Sequence, residues 1–329
     1  MSESGIRESR TSFPVDVMSS RPVAPPPIGQ LVDVGGYRLH LACQGEGSPT
    51  VVMEAAIGET GLLWSLVQPA VTKLTRACSY DRAGYGWSDP SPKPRTAGVM
   101  VEELHTLLDT AQVPGPYVLV GHSLGGLLVR LYAVRYPQEV AGLVLVDSAH
   151  EEQYRRAPRE LQELVPQVEE EARQQLEGLK ALIVSGSLDA SMLPVPPGLP
   201  AAAADTFRAL VAASPKYVET VIAEQQAVQV IHAELAATRI TTLGTIPLVV
   251  LSHGQPMAMP GLPDEVNQAH EQLWQQLQAE LAGLSSRGRL MVAQDSGHYI
   301  QLERPQLVVD AIGQVVTAAR TTQEPTRLG

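Results

Sequence analysis

One stretch of ten residues constrains this chain more than any other: Tyr117-Val118-Leu119-Val120-Gly121-His122-Ser123-Leu124-Gly125-Gly126. Its apolar opening reads as a strand, the Leu124–Tyr136 pattern that follows reads as a helix, and Gly-x-Ser-x-Gly lies between them. A serine held on so sharp a turn draws neighbouring backbones together, so the positions two before and two after it must be small. The turn exposes the Ser123 hydroxyl above the sheet and aims the next backbone N–H, that of Leu124, at an oxyanion forming there. The helix start adds partial positive charge at the same point.

The rest of the sequence supplies a matching fold. Short apolar runs at Leu31–Val34, Tyr37–Cys43, Thr50–Glu54, Arg76–Tyr80, Tyr117–Val120, Gly142–Val146, Pro247–Leu251 and Arg289–Ala293 read as eight strands. The later ones are continuously apolar, as strands are when helices cover both faces of a parallel sheet. Helical patterns at Thr96–Ala111, Leu124–Tyr136, Pro263–Leu284 and Pro305–Ala319 alternate with them, which argues for an α/β fold. Residues 150–244 break the rhythm. They hold helix-prone runs at Glu151–Lys180 (apolar stripe Leu161, Leu164, Val168, Leu176, Leu179), Phe207–Ala213 and Tyr217–Ala237, and a Pro-rich loop at Met192–Pro200. Ala181–Val184 suits a strand or a helix. The organisation expected is a flexible extension over 1–28, a core of 29–149 and 245–320 interrupted by a helical segment at 150–244, and a tail at 321–329.

Composition excludes some classes of function. With 24 Lys+Arg against 35 Asp+Glu the net charge is −11, a field that repels nucleic acid and anionic membranes. No run approaches the ~18 apolar residues of a membrane span, and the N-terminus shows no apolar signal-peptide region. These features lead to the expectation of a cytoplasmic protein with no nucleic-acid or membrane partner. Cys43 and Cys78 carry no metal-ligand spacing and are expected as buried, inert thiols, with a bridge between them left open.

A nucleophilic serine needs a base, and the base needs an orienting acid. His298 follows the last strand and lies downstream of the serine, as the chain order Ser, acid, His requires. His122 is too near Ser123 to turn back on its hydroxyl and is expected to pack under the turn. His253, at a strand end, is a candidate for the pocket wall.

Three motifs together resemble the α/β-hydrolase superfamily, in its esterase, lipase and haloperoxidase-like branch. They are Gly121-His122-Ser123-Leu124-Gly125-Gly126, Ser79-Tyr80-Asp81-Arg82-Ala83-Gly84-Tyr85-Gly86-Trp87-Ser88-Asp89 and Ser296-Gly297-His298. The resemblance implies an eight-stranded, mainly parallel sheet flanked by helices, with residues 150–244 as a helical cap over the active site. It also implies a Ser123–His298–acid triad, no metal or organic cofactor, and a small-molecule ester as substrate.

This chain departs from the family pattern twice. Where relatives carry His-Gly after the third strand, Ala55-Ala56 stand here, and Ile57 falls at the oxyanion-donor position beside Leu124. A backbone donor tolerates that change, and Glu54 is expected to be a structural carboxylate. The strand after the cap ends Leu251-Ser252-His253-Gly254 with no carboxylate, so the acid is expected to be Asp147, at the end of the preceding strand. Asp264 is the alternative, with a helix N-cap as its other role. Asp81-Arg82 is expected to brace the loops below the nucleophile, Trp64 and Trp87 to pack, and Met192, Leu193, Phe207 and Tyr217 are candidates for an apolar pocket. The expected activity is ester hydrolysis through an acyl-enzyme. Amide, lactone or carbon–carbon hydrolysis on the same triad, and a non-catalytic ligand-binding role, stand as alternatives. Epoxide hydrolases and haloalkane dehalogenases are disfavoured because they use a carboxylate nucleophile.

Overall fold

The computed structural model describes residues 24–259 and 261–323. Residues 1–23 of the expected extension and 324–329 of the expected tail lie outside them. Eight strands form one sheet: β1 (Gln30–Asp33), β2 (Arg38–Gln44), β3 (Thr50–Glu54), β4 (Ala77–Tyr80), β5 (Tyr117–His122), β6 (Val140–Val146), β7 (Leu248–His253) and β8 (Gly288–Ala293). Their order across the sheet is β1-β2-β4-β3-β5-β6-β7-β8. The β1–β2 and β2–β4 pairs are antiparallel and every pair from β4–β3 to β7–β8 is parallel, so the sheet is mixed at one edge.

Successive strand residues point to opposite faces, which is why the central strands are apolar throughout. Leu119, Leu143, Leu145 and Val250 face a core layer shared with helices Ala97–Thr110 and Leu124–Arg135. Val118, Val120, Val144, Val146, Val249 and Leu251 face the other layer, closed by helix Pro305–Gln323. Each such side chain contributes about 1.5–3 kcal/mol on full burial. Thr96 starts helix Ala97–Thr110 as its N-cap, its hydroxyl accepting from Val99 N–H.

Between β6 and β7 the chain is helical: Gln153–Arg156, Arg159–Ser185, a 3-10 turn at Ala190–Met192, Ala201–Ala213 and Lys216–Thr238. Ala181–Val184 is therefore helix. Within the long helix only Leu161 and Ile183 are fully buried, and Val168, placed on the apolar stripe from its spacing, is exposed. Helix Lys216–Thr238 is sunk deepest, with Ile231 and Leu235 inside the main core. Among the described residues no helix is long and apolar enough to cross a membrane.

The expectation of free thiols is corrected. Cys43 and Cys78 face each other across the β2–β4 register and are joined as a disulfide. Spacing along the chain does not reveal that register. The bridge closes a loop with a sequence separation of 35. Its reduction should lower stability by about 3–4 kcal/mol in the chain-entropy account, read as a shift of the urea midpoint. A non-reducing peptide map lacking the Cys43–Cys78 cross-link would contradict this.

Candidate active site

The parallel register brings the ends of β5, β6 and β7 side by side. His122 pairs with Val146, Ser123 N–H donates to Val146 O at 3.2 Å, and Asp147 N–H donates to Leu251 O at 2.7 Å. Ser123 stands at φ +51°, ψ −117°, a left-handed backbone that non-glycine residues rarely adopt, directly before helix Leu124–Arg135. The small residues around it are needed: a Cβ on Gly125 would lie 2.6 Å from Glu54 O, and one on Gly121 would collide with Gly125 O.

Asp147, also left-handed at φ +42°, is fully buried and gathers four donors. His298 Nδ1 lies 2.6 Å from Oδ2, Trp274 Nε1 donates to Oδ1 at 3.0 Å, and the His253 backbone N–H donates to Oδ1 at 3.0 Å. His253 Nδ1 lies 2.8 Å from Oδ2 and 2.9 Å from Oδ1. Burial opposes the charge of Asp147, but the hydrogen bonds from His253 and His298 outweigh it and hold the carboxyl far below the ordinary aspartate value. The His298 side chain keeps 23% of its surface accessible, and Ser123 is half-buried.

His122 is fully buried beneath the turn. Its Nδ1 lies 2.9 Å from Glu59 Oε2 and its Nε2 2.9 Å from the His298 carbonyl. The Gln301 side-chain amide also approaches Nδ1, at 3.1 Å. Burial alone would lower this imidazole, yet the Glu59 carboxylate raises it. Burial likewise opposes the Glu59 charge, and His122 holds that carboxyl below its usual range.

The loop after β3 is fixed from all sides. Arg82, 3% exposed, donates through Nη1 to Ala55 O and through Nη2 to Ala56 O at 2.7 Å. The same guanidinium pairs with Glu54 and Glu224 at 2.8 Å each, and Tyr80 O–H donates to Glu54. Glu59 Oε2 accepts from Ala56 N–H, Tyr85 O–H accepts from Gly58 N–H, and Tyr217 O–H donates to Gly58 O. Among the described residues, the Ile57 amide in this loop and the Leu124 amide at the helix start donate to no protein group.

Three sequence expectations need correction here. Asp264 is not a helix N-cap: Pro263 holds that position, and Asp264 is the first helical residue, exposed and without a hydrogen bond or ion pair to a described residue. Met192 is not part of an apolar wall among the described residues, being 78% exposed, whereas Leu193 and Phe207 are buried together with Val211 and Val218. His253 is no pocket wall either; it is sealed between Asp147 and Glu271. Sequence reasoning missed Glu59, Glu224, Glu271 and Trp274, which join the site only through long-range packing. The one available signal was a histidine at the strand end where relatives carry a carboxylate.

Residues 56–311 match the family described as the alpha/beta hydrolase family. The chain is a member of that family. Among curated relatives, the uncharacterized protein YqjL of Bacillus subtilis is 26% identical over 282 residues, 84% of this chain and 87% of that one. The chain spans only 15–21% of the length of the first four curated relatives it matches. Of solved structures, Est816, described as an N-acyl homoserine lactone degrading enzyme, is 20% identical with a TM-score of 0.62, covering 87% of this chain and 100% of its own. A meta-cleavage product hydrolase from Pseudomonas fluorescens IP01 is 18% identical with a TM-score of 0.60, covering 89% and 98%. At these identities the two structures share the hydrolase fold with this chain.

Replacing Arg82 by Met leaves Glu54 buried without its cation and Glu224 with only the longer 3.7 Å contact to Arg95, and should cost about 3–5 kcal/mol in urea unfolding. A loss below about 1 kcal/mol would show that the cluster is not what holds this region. Asp147, with its folded value depressed, contributes stability that is present above the ordinary value of 3.8 and is lost as pH falls below it. Asp147→Asn should flatten that acid-side slope, measured by unfolding from about pH 5 down to about pH 2.

Proposed function

We propose that this hydrolase cleaves small carboxylic esters with Ser123 as nucleophile, His298 as base and Asp147 as the orienting acid. The observation that carries this reading is the 2.6 Å contact of His298 Nδ1 with the buried Asp147 carboxylate, at strand ends adjacent to the left-handed Ser123. With Nδ1 so engaged, Nε2 is the nitrogen free to serve the serine.

Ser123 Oγ attacks the ester carbonyl carbon and passes its proton to His298 Nε2. The Leu124 and Ile57 amides, free of other acceptors, receive the oxyanion. Collapse of the tetrahedral adduct breaks the bond to the alcohol oxygen, which takes the proton from His298. Water then attacks the acyl-enzyme, His298 accepts its proton and returns it to Ser123 Oγ, and the carboxylic acid leaves. Asp147 holds the imidazole tautomer and remains ionised throughout. The helical segment between β6 and β7 acts as a cap in this reading. Tyr299 and Leu302, just past the base, pack with Val195, Leu199 and Ala204 of that segment, a surrounding that favours an apolar acyl group.

Assays with p-nitrophenyl esters of graded acyl length test the proposal. Ser123→Ala and His298→Ala should each lower kcat by several orders of magnitude. Asp147→Asn should cost about 10⁴-fold, while Asp264→Asn should match wild type. Full activity in Ser123→Ala would refute the mechanism. Turnover of a lactone or of a carbon–carbon substrate, with no ester hydrolysed, would move the assignment to the chemistry named for Est816 or for the meta-cleavage hydrolase.

A further inference from the structure

Behind the Asp147–His298 contact lies a second histidine that the reaction as written does not use. His253 ends β7 with no exposed surface. Its Nδ1 faces both oxygens of Asp147 at 2.8 and 2.9 Å, and its Nε2 faces Glu271 Oε2 at 3.0 Å. Trp274 lies stacked on its ring, 5.8 Å between centroids, with its own N–H on Asp147 Oδ1. A neutral imidazole has one donor and one acceptor nitrogen and could satisfy only one of these carboxylates. The Asp147 carboxylate already takes N–H donors on both oxygens, so it has no reason to hold a proton itself.

We propose that His253 stands as an imidazolium clamped between Asp147 and Glu271, a positioning residue that fixes the acid and offsets part of the negative charge presented to His298. The titratable groups around it come from every neighbouring element: Asp147 from β6, His270 and Glu271 from helix Asp264–Gly283, and His298 from the loop after β8. His122 beneath the turn also acts on Asp147. Burial opposes a charged His253, but the Asp147 and Glu271 carboxylates outweigh it and raise the imidazole to about 9. The consequence is a built-in compensation. Asp147 would present a full charge to His298 if alone, and the pair His253–Glu271 moderates it while adding no net charge of its own.

This inference rests on the assignment of Asp147 and His298 above, and its first test does not involve catalysis. In nitrogen-15 histidine spectra of the full-length protein at pH 7.5, His253 should show two protonated ring nitrogens. The signals are assigned by their loss in His253→Asn, or by the shift of Nε2 in Glu271→Gln. A neutral His253 at that pH overturns the proposal, whatever the enzyme hydrolyses. The second test is the pH profile of kcat/KM. His253→Asn keeps a donor toward Asp147 but removes the cation, so the acidic limb should move up by roughly half to one pH unit, a loss of about 3–10-fold at pH values below the limb. Glu271→Gln should leave the limb in place or move it down. An acidic limb unmoved in His253→Asn, with activity lowered equally at all pH values, would reduce His253 to a packing role.

Discussion

The guanidinium of Arg82 is the contact on which the rest of the site depends. It sits on the loop after β4, out of water, and holds two carbonyls of the loop after β3 together with carboxylates from β3 and from helix Lys216–Thr238. A buried ion of this kind is tolerable only when its donors are matched, since uncompensated burial costs several kcal/mol. Arg82 is matched by Glu54, Glu224, Ala55 O and Ala56 O. Burial pushes the Glu54 carboxyl up, with Arg82 opposing, and Tyr80 O–H completes its shell. Once these groups are fixed, the Ile57 amide is left without an acceptor among the described residues.

The strand ends carry a second constraint, strain. Ser123 and Asp147 are both non-glycine residues at positive φ, a conformation costing of order 1–3 kcal/mol each. Each is pinned by backbone bonds to the next strand: Ser123 to Val146, Asp147 to Leu251, and Ala149 N–H back to Ser123 O. Parallel pairing at the centre of the sheet thus supplies the rigidity that keeps two unfavourable turns next to each other. The charges are stacked in the same manner. Glu59 and His122 meet under the turn, and His253 lies between Asp147 and Glu271 at the neighbouring strand end.

Much of this was legible in the chain because the relevant signals are local. All eight strands occur where their apolar runs stand, since a run of four to seven β-branched and aliphatic residues bounded by turns has few alternatives. The Gly121–Gly125 spacing announces its turn because only small residues fit against Glu54 O and Gly125 O. The hidden part was non-local. Cys43 and Cys78 meet only through the β2–β4 register. Glu224 reaches Arg82 across 142 positions, and Glu271 reaches His253 from a helix face that reads as solvent-exposed. Val168 misled for a related reason: a periodic stripe shows that a helix has an apolar side, not that a partner covers all of it.

Glu224 gives the helical segment a standing beyond that of a cover. Families of this architecture are often pictured as a conserved chassis with exchangeable inserts. Here the insert owns one of the counter-ions of the chassis, so the two form one electrostatic unit. Grafting a foreign segment between β6 and β7 would leave Arg82 with only one of its two carboxylates, Glu54, unless the newcomer carried a carboxylate at the same depth. Diversification of this enzyme's specificity is therefore channelled toward the segment's outer helices, which hold no such obligation.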